Sequence, residues 1–276
     1  MYRTPLRYPG GKGKISYLLS RIINKTESPC ERYIEPFAGG AGVAISLLLE
    51  GVVSEIVIND YDLGIYSFWK AILEETDRFI QDLEKIPVTI EEWYRQKEIY
   101  NREYSCYSYE LGFATFFLNR TNRSGIIKAG PIGGKAQNGK WRLNARFNKE
   151  NLIKRISEIA NYKSEIIVLN IDVINEFDQL RPYILDESFV YFDPPYITKG
   201  NDLYMNSLTL QDHEKLSGNI KSLSNVSWVV TYDVTEEVEA LYSDLPKRRL
   251  GINYSLYTKK QADELIIFST ECLIPD

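Results

Sequence analysis

The chain reads as an α/β protein: a doubly wound, mainly parallel sheet interrupted by a helical, basic insert. Three observations carry that reading. Short apolar runs that fit strands alternate with segments of helical periodicity near both ends of the chain, as in a parallel sheet with crossover helices. The alternation stops after residue 62 and resumes at about Asn151. The interrupting region ends in 39 residues, Leu111 through Lys149, without a single acid, in a chain of net charge −5.

The first strand closes at Glu35, within Tyr33-Ile34-Glu35-Pro36-Phe37-Ala38-Gly39-Gly40-Ala41-Gly42. Ala41 to Glu50 follows as a helix with its apolar face at Val43, Ile45, Leu47, Leu48 and Leu49. Glycines between strand and helix let the backbone approach a ligand closely. Their spacing is not the Gly-x-Gly-x-x-Gly of a dinucleotide loop, and no Gly-Lys-Ser/Thr ending of a triphosphate loop is present. Ile56 to Asp60 is a second buried strand ending in an acid, where a nucleoside-binding sheet places its ribose carboxylate. The plainer role for Asp60 is N-cap of a helix from Tyr61 to Ala71. Upstream, Arg7-Tyr8-Pro9-Gly10-Gly11-Lys12-Gly13-Lys14 is either a flexible start or a loop whose Lys12 reaches a carboxylate or phosphate.

In the insert, Phe68–Leu83 and Ile90–Asn101 read as helices, and Tyr109–Leu118 as an apolar helix leading into the acid-free stretch. That stretch carries Arg120, Arg123, Lys128, Lys135, Lys140, Arg142, Arg146 and Lys149, with glycines and Trp141 and Phe147 between them. Lys247-Arg248-Arg249 and Lys259-Lys260 make a second basic cluster. Such patches attract phosphates. A solvated basic loop is the alternative, and the lack of acids over so long a stretch of an acidic chain favours nucleic acid.

Beyond the insert, Asn151–Tyr162, Leu210–Leu223 and Glu236–Tyr242 read as helices, and Glu165–Asn170, Phe189–Phe192, Trp228–Tyr232 and Glu264–Ser269 as strands. The strand Val190-Tyr191-Phe192 runs straight into Asp193-Pro194-Pro195-Tyr196. An exocyclic amine on a nucleobase is a poor nucleophile because its lone pair is delocalised into the ring. An acceptor-rich turn can bond both amine hydrogens and leave that lone pair aimed at an electrophile. Asp193 offers a carboxylate, and the Pro194 carbonyl is kept out of local turn bonding because Pro195 has no N–H. Tyr196 offers a flat face for an extruded base. A capped Pro-Pro turn is the alternative.

At 276 residues the chain can bury a sizeable core. It has no apolar run of about 18 residues and no signal peptide, so a soluble, intracellular protein is expected. Cys30, Cys106 and Cys272 lie far apart and show no metal spacing. The single histidine, His213, is expected in the first turn of a surface helix, structural rather than catalytic.

Tyr-Pro-Gly-Gly-Lys, Glu-Pro-Phe-Ala-Gly-Gly, Asn-Asp and Asp-Pro-Pro-Tyr, in this order from Arg7 to about Ser269, resemble the Dam-type (alpha-group) N6-adenine DNA methyltransferases. The resemblance implies a Rossmann-like seven-stranded sheet, S-adenosylmethionine as methyl donor with S-adenosylhomocysteine as product, no metal, and double-stranded DNA as partner. It implies a catalytic domain of residues 1–62 and 151–276 and a target-recognition insert of 63–150. Tyr8, Gly10, Gly11 and Lys12 are then expected near the methionine end of the cofactor, with Pro36, Phe37, Ala38, Gly39 and Gly40 as its floor. Asp60 is expected on the ribose and Asp172 on the adenine edge, although Asp172 fits a loop cap equally well. Asp193, Pro194, Pro195 and Tyr196 are expected to hold the target base, Asp193 also touching the cofactor's amino group.

DNA contacts are expected from Asn119, Arg120, Arg123, Ser124, Lys128, Lys140, Arg142, Arg248 and Arg249. The chain departs from relatives specific for GATC, which carry Asn-Gly-x-x-Arg at the groove-entering hairpin. Here Ser124-Gly125-Ile126-Ile127-Lys128 stands in that place, and lysine is not a planar bidentate reader of guanine. GATC specificity is therefore not expected. A monomer in the cytoplasm of a bacterial or phage-infected cell, beside a cognate restriction or defence protein, completes the expectation. RNA adenine or DNA cytosine-N4 methylation, or a catalytically silent regulator, are the alternatives.

Overall fold

In a computed structural model, residues 4–7, 13–25, 30–197, 208–255 and 259–272 are described. Short, largely apolar runs form β1 (Arg32–Glu35), β2 (Glu55–Asn59), β3 (Ile166–Leu169), β4 (Ser188–Phe192) and β5 (Ser227–Asp233), and two longer, partly charged segments form β6 (Lys247–Ser255) and β7 (Lys259–Phe268). They make one 7-stranded sheet in the order β3-β2-β1-β4-β5-β7-β6. Phe189 to Phe192 are buried along their length, as expected of a central strand covered on both faces. β1 pairs in parallel with β2 and β4, Tyr33 standing opposite Ile56 and Phe189. The strand order reverses between β1 and β4, which makes their carboxyl ends the crevice where such sheets bind ligands. β7 alone runs antiparallel, between β5 and β6. Only three residues separate β6 from β7, far too few for a parallel crossover.

The helices are α1 (Gly13–Ile23), α2 (Gly42–Leu49), α3 (Leu63–Glu74), α4 (Thr76–Lys85), α5 (Ile90–Tyr100), α6 (Tyr109–Thr121), α7 (Lys149–Ala160), α8 (Phe177–Leu180), α9 (Leu210–Lys221) and α10 (Glu236–Leu241). The chain divides into two compact units. One is Gly10–Tyr61 with Glu165–Asp276, the sheet unit; the other is Met1–Pro9 with Asp62–Ser164, the helical unit. Residues 151–164 belong with the helices because the apolar face of α7, Leu152, Ile156 and Ile159, packs on α3 and α4. The single helix expected over Phe68–Leu83 is two, since Glu75 takes φ −122, ψ 39 between α3 and α4. Folding the chain back there stacks Phe68 on Phe116 at 5.7 Å, with Phe79 edge-on to both.

Close approach of α3 and α6 depends on glycine. A Cβ on Gly112 would lie 2.5 Å from the Ser67 carbonyl oxygen, and backbone cannot yield as a side chain can. Alanine is the better helix former by about 1 kcal/mol, yet overpacking costs roughly 1–3 kcal/mol. Gly112→Ala should therefore destabilise the protein. Gly218→Ala, on α9 with nothing within 4 Å, should instead stabilise it by about 1 kcal/mol. Urea denaturation of the two variants checks both signs, and equal shifts would contradict the packing argument.

His213 does not lie on a surface. It is 1% exposed on α9, its Nδ1 2.9 Å from the Tyr232 hydroxyl, with Asp212 and Asp233 as the neighbouring charges. Burial lowers its pKa, against the smaller opposing pull of those two acids. The neutral ring is what the fold accommodates, so the unfolded chain binds the proton more readily. Its contribution to stability is complete above the unfolded value of about 6.5 and is lost as pH falls through the lower folded value. The stability gap between wild type and His213→Gln should narrow from pH 8 to pH 5 in denaturation titrations. A constant gap would count against a buried neutral imidazole.

Candidate active site

The loops leaving β1, β2 and β3 in the sheet unit are tied together by one side chain. Asn59, 1% exposed, donates through Nδ2 to the carbonyls of Pro36 (2.9 Å) and Ile171 (3.1 Å) and accepts the Ile171 N–H at 2.7 Å. Pro36, Phe37, Ala38, Gly39 and Gly40 form the loop after β1, and the Ala38 N–H donates to the Asn59 carbonyl at 2.8 Å. Gly39 takes φ 49 and Ala41 φ 45. For alanine this left-handed conformation costs of order 1 kcal/mol, and such outliers persist where the surroundings over-determine them. Asp60 does not cap α3. Asp62 does, accepting from the N–H groups of Gly64 and Ile65, while Asp60 Oδ2 accepts the Gly39 N–H at 2.8 Å. Asp172 caps its own turn: Oδ1 accepts from Ile174 and Asn175 N–H, and Oδ2 from the Asn175 side chain.

At the end of β4, Asp193 is half-buried and held in place. The Thr231 hydroxyl of β5 donates to Asp193 Oδ1 at 2.7 Å, and the Tyr191 hydroxyl lies 2.9 Å from Thr231 Oγ1. Thr231 has one proton and gives it to Asp193, so Tyr191 donates to Thr231. The result is a directed chain, Tyr191 to Thr231 to Asp193. No described residue donates to the Pro194 carbonyl. Tyr196 is 5% exposed, and its hydroxyl donates to Glu264 Oε1 at 2.6 Å. Glu35 is buried and accepts from the Tyr33 hydroxyl at 3.1 Å. Burial and the Glu35 charge push the Tyr33 hydroxyl well above its ordinary pKa, which keeps it a donor.

Glu35, Asp60, Asp172, Asp193 and Asp233 thus stand at the carboxyl ends of five neighbouring strands. That negative field suits a cationic ligand, and the glycine loop gives its backbone close access. The sequence reading missed Asn59, Thr231 and Glu264. Asn59 had a signal in standing directly before Asp60; the other two had none. Tyr8, Gly10, Gly11 and Lys12 lie outside the described residues.

The residues expected on DNA fall in several settings. In the helical unit, Arg123 and Lys128 are exposed on the loop 122–131, with Ser124 at φ 58. Asn122 pins that loop, donating to the carbonyls of Ile126 and Ile127 and accepting from Trp93 Nε1 at 2.7 Å. Lys140 and Arg142 are exposed beside Trp141, itself 65% exposed, and Lys140 Nζ lies 5.8 Å from the indole centroid. Asn119 is not available to a ligand. It is 1% exposed, and its carboxamide is used on the Arg7 N–H (2.7 Å) and on the carbonyls of Arg7 and Gly125. Arg120 is half-buried and bound to the carbonyls of Pro5 and Arg146. In the sheet unit, Arg248 and Arg249 are exposed on β6, and Arg249 pairs with Glu239 at 2.7 Å.

Among the described residues no group of three or more His, Cys, Asp or Glu could hold a metal, and no helix is long and apolar enough to cross a membrane. The chain is 26% identical over 221 residues to the Type II methyltransferase M.MjaIII of Methanocaldococcus jannaschii, covering 75% of this chain and 73% of that one. It is 25% identical over 257 residues to the Type II methyltransferase M.CviBI of Paramecium bursaria Chlorella virus NC1A, covering 92% and 89%. Among solved structures, the rRNA methyltransferase aviRa from Streptomyces viridochromogenes aligns with TM-score 0.44 and 12% identity over 96% of this chain and 88% of that one. The model of the D12 class N6 adenine-specific DNA methyltransferases matches residues 8–263. A match of that extent takes in both units and every strand-end loop described above, and the chain belongs to that family of DNA-methylating enzymes.

Proposed function

We propose that this enzyme moves the methyl group of S-adenosylmethionine to the N6 amine of an adenine flipped out of double-stranded DNA. The observation that carries the reading is the Asp193 carboxylate, aimed by Thr231 and Tyr191 and followed by a Pro194 carbonyl that no described residue uses. When bound, S-adenosylmethionine supplies a sulfonium methyl as electrophile. Pro36 to Gly40 would form its floor, Asp60 would hold its ribose hydroxyls, and Asp172 would meet its adenine edge. Asp193 and the Pro194 carbonyl accept the two amine hydrogens, which turns the nitrogen lone pair toward the methyl carbon. Bound there, the cofactor would give up its methyl to the amine nitrogen and leave as S-adenosylhomocysteine, while the amine proton would leave along its bond to Asp193. Tyr196, anchored by Glu264, forms a wall against the ring of the base. Fixed acceptors and positioning supply the rate, with no covalent enzyme intermediate.

Arg123, Ser124, Lys128, Lys140 and Arg142 present the helical unit to the duplex, as an exposed basic surface carrying an aromatic. The Type II relatives support a restriction–modification setting; a monomer is the state proposed for the protein. Incubation with labelled S-adenosylmethionine and unmethylated genomic DNA, followed by nucleoside analysis and single-molecule sequencing, tests the reading. Labelled N6-methyladenine in one sequence context is expected. Label in cytosine, or in RNA but not DNA, would overturn it.

A further inference from the structure

Four arginines of the helical unit stand together without an acid. Arg7, Arg120, Arg146 and Arg155 act on one another as like charges, Arg120 feeling the other three. Among the described residues none of the four is in an ion pair. Three of them donate to neutral carbonyls: Arg155 to Thr4 (3.0 Å), Arg7 to Asn122 (2.9 Å), and Arg120 to Pro5 (3.5 Å) and Arg146. Arg120 Nε is buried and has no hydrogen-bond partner among the described residues. Carbonyls satisfy hydrogen bonds but neutralise no charge. Like charges held close in a partly desolvated setting repel, and a buried cation without a counter-charge is costly. Burial together with the three neighbours brings Arg120 down to about 9. A fold tolerates such an arrangement when an anion completes it.

We infer that Arg7, Arg120, Arg146 and Arg155 build an oxyanion site in the helical unit, filled by a phosphodiester of the bound DNA backbone. Guanidinium forks match phosphate oxygens in geometry as well as charge. Arg146 is exposed and its side chain makes no hydrogen bond among the described residues, so it is the open edge of the site, and Arg120 holds its backbone carbonyl. A free phosphate or sulfate ion shares the chemistry. The surrounding acid-free stretch, Leu111 to Lys149, points to the polyanion as the source. The site contributes register and affinity and reads no base. It rests on the reading of the protein as a DNA-binding enzyme, but it is measured through binding alone and does not depend on turnover.

Arg146→Gln is the variant to make, because its side chain supports nothing else in the fold. At fixed ionic strength, replacing chloride by sulfate should raise the melting temperature of the wild type and do so much less in Arg146→Gln. Binding of a short duplex, followed by fluorescence anisotropy from 50 to 200 mM KCl, should show the slope of log Kd against log salt reduced by about 1 in the variant, as for the loss of one phosphate contact. The weakening should be the same for any duplex sequence, and Arg146→Lys should restore the slope. An unchanged slope, with sulfate acting equally on both proteins, overturns the assignment. Sulfate stabilisation with an unchanged slope overturns the DNA source in favour of a free anion. Failure of the methylation assay with a normal slope change would instead count against the proposed reaction and leave this site standing.

Discussion

Asp193→Ala is expected to lower kcat by at least about a thousandfold while the protein stays folded and still binds S-adenosylmethionine. Removing a single preorganised polar group at a reacting centre costs roughly 100- to 1000-fold in known enzymes. In the proposed reaction the same carboxylate also turns the lone pair of the amine, so the loss should reach the upper end of that range or exceed it. Asp193 is half-buried at the end of a strand, and its removal leaves the apolar run of β4 intact. Asp193→Asn, which keeps an acceptor oxygen for Thr231 but no charge, should fall between wild type and alanine. Single-turnover methylation of a duplex, alongside calorimetric cofactor binding, measures both parts. Alanine activity within tenfold of wild type would remove Asp193 from the mechanism.

The second large effect belongs to a residue that touches no substrate. Thr231→Val keeps the shape of a fully buried β5 side chain but removes the hydroxyl that aims Asp193. It also leaves the Tyr191 hydroxyl without its Thr231 acceptor. Hydrogen bonds to charged groups are worth about 1.5–3 kcal/mol, or roughly 10- to 100-fold in rate. The fall should appear in kcat with KM for DNA little changed, since the carboxylate is misaimed rather than lost. Thr231→Ser should recover most of it, and Tyr191→Phe, one step further out, should cost less than Thr231→Val. A serine variant as poor as valine would show that packing, and not the hydroxyl, is what matters at this position.

What could be read from the sequence divides along a physical line. Glu35 to Gly42 and Asp193 to Tyr196 could be marked in the sequence because the residues of each motif are adjacent in the chain and leave a strand together. The parallel strands were legible from their continuous apolar runs. Thr231 was not, since its partner Asp193 is 38 positions away and a threonine in a strand is otherwise unremarked. Asn119 looked like a polar residue free to read a base. Its real partner, Arg7, is 112 positions away, and no local pattern announces that. His213 was placed on a surface because its neighbours Asp212, Glu214 and Lys215 are charged, although it is the position that faces Tyr232. Lys247-Arg248-Arg249 was seen as a basic patch and its strand was missed, because an exposed edge strand carries the charges that hide its period. The break at Glu75 has no proline or glycine to mark it, and only the packing of Phe79 against Phe68 and Phe116 dictates the turn.

Residues 4–7 form a strip bound by Asn119, Arg120 and Arg155, and Gly125 is shaped to admit it: a Cβ there would sit 2.4 Å from the Arg7 carbonyl oxygen. The helical unit is therefore not a cassette contained between two cut sites in the middle of the gene. Anyone transplanting residues 62–164 alone between relatives would graft a module onto a foreign clasp, with Asn119 and two arginines facing carbonyls they did not evolve with. The exchange has to carry the strip along, as a two-piece graft.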